Sequence, residues 1–130
     1  MGWYVDTSAF VKLVVAERHS DALRGWAEAH EDDLFSSDLL TTEALRTARR
    51  HSPDALERTR AALDALTLVR LRPEVFAHAA DLDPAILRSL DALHLAAALS
   101  AGSELDGIAT YDDRLAAAAA LHGVAVLAPD

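Results

Sequence analysis

The sequence predicts a single α/β domain with a mainly parallel sheet, and three observations point there. Short β-branched or apolar runs alternate with longer stretches whose apolar residues recur at three-to-four spacing. The 130 residues suit one compact domain spanning 1–130. Hydrophobic residues make up 52 % of the chain, enough for one sizeable core without staples.

The elements follow in order. Trp3–Val5 is the first candidate strand, with helices at Ala9–Glu17 and Ser20–Ala29. Leu34–Ser36 is the second, followed by helices at Leu39–Arg50 and Pro53–Ala65. Ser52 before Pro53 has the form of an N-cap with proline at the first helical position. Leu66–Leu71 is the third strand. Pro73 and Pro84 then open new segments, and helices are expected at Glu74–Leu82 and Asp91–Ala101. Gly107–Thr110 is the fourth strand and Val124–Leu127 the fifth, with helix Asp112–Leu121 between them. Gly102 and Gly123 sit where helix C-terminal glycines belong. There is no internal repeat, linker or low-complexity tail.

Composition narrows the function. The absence of cysteine excludes disulfides, thiolate metal sites and cysteine nucleophiles, and fits a reducing cytoplasm. The start, Met1-Gly2-Trp3-Tyr4-Val5-Asp6, has no basic region or long apolar run, so no signal peptide is expected. No uninterrupted apolar stretch is long enough to cross a bilayer, and no membrane partner is expected. The net charge of −9 argues against a nucleic-acid binder unless the acids are concentrated where a bound cation neutralises them. The positions of the acids therefore decide.

In open parallel sheets the functional crevice lies beyond the C-terminal ends of the strands. Asp6 directly follows the first strand. It could be a helix N-cap, but Thr7 or Ser8 could cap as well, so its position favours function. Asp112 closely follows the fourth strand, where N-cap and functional roles stand level. Asp91 opens the most apolar helix, and there too a dipole partner and a crevice acid stand level. Glu43, in the early turns of its helix, would alone pass for a solvated surface acid. Together the four are worth more than singly. They fall near the N-termini of separate helices, points that a parallel sheet brings to one edge. Four gathered carboxylates repel, and their pKa values rise without a cation. Oxygen-rich clusters suit Mg²⁺ or Mn²⁺, which suggests metal-assisted phosphodiester hydrolysis.

Four runs carry a family resemblance: Asp6-Thr7-Ser8-Ala9, Glu43-Ala44-Leu45-Arg46, Leu90-Asp91-Ala92-Leu93-His94-Leu95-Ala96 and Thr110-Tyr111-Asp112-Asp113-Arg114-Leu115. In this order, across nearly the whole chain, they resemble PIN-domain proteins, particularly the VapC toxins of bacterial toxin–antitoxin pairs. The resemblance implies a three-layer α/β/α fold with sheet order 3-2-1-4-5. It also implies Mg²⁺- or Mn²⁺-dependent endoribonuclease activity on an RNA substrate, a homodimer, and a cognate antitoxin inserted in the active-site groove. Asp6, Glu43, Asp91 and Asp112 match the family's acidic positions, as catalytic and metal-binding residues. Thr110 and Ser8 match hydroxyl residues that orient carboxylates or water. Asp113 adjoins Asp112 and is given a secondary role.

Arg46 and Arg50 share a helical face with Glu43 and are candidates to hold RNA phosphates or an acidic antitoxin residue, with Arg49 as a third. The alternative is an ion pair with Glu43 and a solvated basic face. His94 shares a face with Asp91; a hydrogen-bonded packing histidine is preferred over a ligand or proton donor. Arg88, one turn before Asp91, could pair with it or touch phosphate. Trp3, Trp26 and Phe76 read as core or dimer-interface residues rather than base-stacking platforms, aromatics being only 5 % of the chain. Three other readings compete. A haloacid-dehalogenase-like phosphatase wants a second aspartate where Ser8 stands. A response-regulator receiver wants a phosphoacceptor aspartate where Arg72-Pro73 stands, and a lysine near the last strand, whereas Lys12 is the only lysine. The third is a catalytically inactive binding module that has kept the fold.

Overall fold

The computed structural model of the chain describes residues 2–130. Strands β1 (Gly2–Val5), β2 (Leu34–Ser37), β3 (Thr67–Val69), β4 (Leu105–Ala109) and β5 (Val126–Leu127) form one sheet in the order β3-β2-β1-β4-β5. Every pairing is parallel. The helices are α1 (Thr7–Val14), α2 (Ser20–Ala29), α3 (Leu39–Arg49), α4 (Pro53–Ala65), α5 (Pro73–Asp81), α6 (Ser89–Leu99) and α7 (Asp113–Leu121). The result is the α/β/α architecture and strand order that the resemblance implied.

Alternation along β1 divides the core between the two faces of the sheet. Tyr4 joins Ile108 of β4 and the buried residues of α5, α6 and α7, among them Leu95 and Leu115. Val5 joins Ala109 and buried residues of α1 to α4, among them Phe10, Leu23, Leu40 and Leu63. Helix α6 is apolar nearly all round because six of its residues are buried. On β4, Gly107 lies in register with Trp3, whose ring stands where a Cβ would be, only 2.5 Å from it. The strand pair needs a residue without a side chain there.

Local chemistry sets the element ends. Ser52 caps α4 by accepting from the Ala55 amide at 3.0 Å, with Pro53 in the first turn. Gly102 and Gly123 take left-handed φ values of 60° and 75° after α6 and α7. Some boundaries differ from the apolar pattern. Helix α1 stops at Val14 rather than Glu17, because the Ser20 hydroxyl accepts from the Glu17 amide and donates to the Val15 carbonyl. Strand β5 starts at Val126 rather than Val124, whose amide still closes α7 on the Ala119 carbonyl. Strand β3 is confined to Thr67–Val69, since the Leu66 amide is held by the end of α4.

Because all the strands run the same way, β1, β2 and β4 deliver their following residues to one edge of the sheet. Asp6 leaves β1 there, the start of α3 follows β2, and Thr110 and Asp112 leave β4.

Candidate active site

Asp6 is the N-cap of α1 and is only 3 % exposed. Its Oδ1 accepts from the Ala9 amide at 2.9 Å, so the capping role that sequence position had set against function is in fact filled by this acid. The Ser8 hydroxyl shares its proton between Oδ1 and Oδ2, at 2.7 and 3.0 Å. Thr110 Oγ1 donates to Oδ2 at 2.5 Å. No Lys or Arg comes within ion-pair distance of Asp6 among the described residues. Burial pushes its carboxyl above the usual aspartate range, outweighing the donors from Thr110, Ala9 and Ser8.

The two hydroxyls tie the β1 and β4 ends together. Ser8 Oγ accepts from the Tyr111 amide at 2.9 Å, and Thr110 Oγ1 accepts from the Asp112 amide at 3.1 Å. Asp112 is half-buried and caps α7 through the Leu115 amide at 2.9 Å. Asp113 is exposed, in the first turn of α7.

Asp91 lies in the first turn of α6, partly buried. Its carboxyl is pushed up first by burial, then by the negative charge of Asp112, with smaller pushes from Asp6 and Glu43. Asp112, Asp6 and Glu43 are thus near enough to Asp91 for their charges to act on it, and Asp113 is not among those charges. The positive influence on both Asp6 and Asp91 is that of His94.

Glu43 is held differently. Its Oε1 accepts from Thr7 Oγ1 at 2.8 Å and from His94 Nε2 at 2.5 Å. Burial raises the Glu43 carboxyl, but the hydrogen bond and charge of His94 and the Thr7 hydroxyl outweigh it, and its pKa falls. His94 is 2 % exposed, and its Nδ1 lies 2.7 Å from the hydroxyl of Tyr4, itself fully buried. The packing reading of His94 agrees with this burial. Sequence reasoning offered Thr7 only as an alternative helix cap, assigned no role to Tyr4 and did not connect His94 with Glu43. The available signal was strand alternation, which sets Tyr4 two residues before Asp6 on the same side of β1.

The donor set suits a hard divalent cation. It is all oxygen, largely carboxylate, and its most buried member lacks a cationic partner among the described residues. No three acids or histidines among the described residues are already gathered around a single point. Mg²⁺ does not require such a cage, since it keeps several waters and binds through one or two carboxylates plus substrate phosphate.

Arg46 is exposed on α3, and Arg50 is exposed at its C-cap. Neither pairs with Glu43, whose partners are His94 and Thr7, and Arg50 contacts only the Thr47 hydroxyl at 3.4 Å. Among the described residues Arg24 is the one arginine within 4.0 Å of a carboxylate, so Arg46, Arg49, Arg50 and Arg88 keep unneutralised guanidinium groups. Trp3 and Trp26 pack edge to face at 5.5 Å, as structural residues. Phe76 is 51 % exposed and is therefore not a core residue.

Comparison with known proteins agrees with this geometry. Residues 3–121 match the PIN domain family. The chain is 42 % identical to ribonuclease VapC46 of Mycobacterium tuberculosis over 126 residues, covering 97 % of this chain and 96 % of that protein. It is 41 % identical to ribonuclease VapC47 of the same species, covering 86 % of this chain and 85 % of that protein. With ribonuclease VapC35, also from M. tuberculosis, it shares 39 % identity, covering 97 % and 96 % of the two chains. A parallel sheet ordered 3-2-1-4-5, an acidic edge, a matched family and these relatives agree: the chain belongs to the PIN-domain family, on its VapC branch.

Proposed function

We propose that this protein is a Mg²⁺-dependent endoribonuclease, with Mn²⁺ as a possible substitute, acting in the cytoplasm as the toxin of a toxin–antitoxin pair. The observation that carries the reading is Asp6, a buried carboxylate with four hydrogen-bond contacts and no cationic partner among the described residues, whose charge reaches Asp91 together with those of Asp112 and Glu43. The names of the relatives, all ribonucleases, support RNA as the substrate.

Asp6, Asp91 and Asp112 would hold the ion, with Glu43 at its side. Mg²⁺ held there would lower the pKa of a water and offset charge developing on the phosphodiester. Ser8 and Thr110 keep the Asp6 carboxylate in one orientation. Arg46 and Arg50 would take flanking RNA phosphates or an acidic residue of the antitoxin. Asp113 plays a supporting part from the exposed side. The protein would act as a homodimer. No helix among the described residues is long and apolar enough to cross a membrane.

The competing phosphatase reading has no support at Ser8, whose hydroxyl serves Asp6 rather than a reacting group. An inactive binding module is separated by assay. Purified protein incubated with transfer, ribosomal and messenger RNAs should cleave at least one with Mg²⁺ or Mn²⁺ and none with EDTA. Absence of cleavage across that panel would overturn the enzyme reading. Co-expression with the neighbouring reading frame tests the antitoxin: growth arrest that this frame relieves is expected.

A further inference from the structure

A line of polar side chains runs from inside the sheet to the acidic edge. Ser37 Oγ lies 2.9 Å from the Tyr4 hydroxyl, Tyr4 lies 2.7 Å from His94 Nδ1, and His94 Nε2 lies 2.5 Å from Glu43 Oε1. Since an ionised carboxylate only accepts, Nε2 carries the proton. His94 Nδ1 then pairs with the Tyr4 hydroxyl, whose other partner is Ser37. Burial pushes the Tyr4 phenol up, so that hydroxyl keeps its proton.

We infer that Tyr4 and His94 are positioning residues for the reaction, holding Glu43 by Oε1 so that Oε2 is left for the cation that the acidic edge would bind. This rests on the nuclease reading above. Oε1 is taken by Thr7 and His94, whereas Oε2 has no partner among the described residues. A free glutamate samples many rotamers, and the two donors offset the entropy lost in fixing it before substrate arrives. Packing alone does not demand this chain. Tyr4, Ser37 and His94 are almost fully buried among apolar residues such as Leu95 and Ile108, where Phe and Leu would fill comparable space. Buried polar groups persist in such surroundings only when each is satisfied, and here each is. The Tyr4 ring is also braced edge-on by Phe35 at 5.4 Å and His94 at 5.7 Å, which fixes its hydroxyl.

The test uses the full chain carrying His94→Leu, His94→Gln or Tyr4→Phe, with three readouts: Mn²⁺ affinity by calorimetry without RNA, kcat and KM for one cleaved RNA, and Tm. His94→Leu, which removes the donor, should weaken Mn²⁺ binding by about tenfold and lower kcat by about 10–100-fold, leaving KM little changed. His94→Gln, which restores an N–H toward Glu43, should recover most of both. Tyr4→Phe should give a smaller loss in the same direction, and it decides the matter if the His94 variants do not fold. Wild-type Mn²⁺ affinity and kcat in folded His94→Leu or in Tyr4→Phe would overturn the inference, as would a folded His94→Gln no better than His94→Leu. If the wild-type chain neither binds Mn²⁺ nor cleaves RNA, the nuclease reading itself falls and takes this inference with it.

Discussion

Thr110 Oγ1 donates to Asp6 Oδ2 at 2.5 Å while accepting from the Asp112 amide at 3.1 Å, so one hydroxyl couples two acids that arrive from different strands. Thr110→Val keeps the shape, removes a donor from Asp6 and leaves the Asp112 amide unpartnered. We expect a loss of about 1–3 kcal/mol in stability and about 10–100-fold in cleavage. Denaturant melts and steady-state rates check both. Unchanged cleavage would show that Asp6 does not need this support.

Asp6→Asn separates the charge from the cap. Asparagine still accepts from the Ala9 amide, so α1 keeps its start. The folded pKa of Asp6 is raised, so the native state binds the proton more tightly than the unfolded chain does. The sign follows: without metal, Asp6 lowers stability as pH rises from the ordinary aspartate value through the folded pKa. We expect wild-type protein in EDTA to lose stability over that range and Asp6→Asn to lose less. Glu43, with a lowered pKa, acts oppositely, its contribution being lost as pH falls through its folded value. Melts of wild type and Asp6→Asn at several pH values test this.

Metal should stabilise the wild-type fold by mass action, by about 2.7 kcal/mol at one hundred times Kd, and raise Tm in proportion to the logarithm of its concentration. Asp6→Asn should abolish most of that rise. Equal Mn²⁺ dependence of Tm in both proteins would place the ion elsewhere.

Asp112 and Asp113 make different predictions. Asp112 repels Asp91, whereas Asp113 is exposed and does not figure among the charges acting on that acid. Asp112→Asn should weaken Mn²⁺ binding by about tenfold, and Asp113→Asn by little. The reverse order would move the ligand role to Asp113.

Arg46→Ala should weaken RNA binding, reduce the magnitude of its log-affinity salt slope by about 1 and leave Tm within about 1 °C, because Arg46 is exposed and makes no ion pair among the described residues. A filter-binding salt series measures this. An unchanged slope and affinity for RNA and for antitoxin would remove Arg46 from either surface.

Much of the fold could be read from local signals. Three-to-four spacing marks the helices, Ser52-Pro53 the start of α4, and Gly102 and Gly123 the ends of α6 and α7. The strand order came from family resemblance, since pairing is a long-range property that spacing does not encode. Element ends were missed where one side chain decides them, as Ser20 does for α1. At the candidate site, the acids stood out because each lies near a helix start beside the sheet. The link from Tyr4 through His94 to Glu43 did not, because it joins residues 90 and 51 positions apart across a buried layer.

The most direct test is cleavage of one defined RNA by wild-type protein and Asp6→Asn, each with Mg²⁺ and with EDTA. The account expects cleavage by wild type with Mg²⁺ alone, and loss of at least about a hundredfold in folded Asp6→Asn. Cleavage that survives EDTA, or proceeds at the wild-type rate in Asp6→Asn, would contradict it.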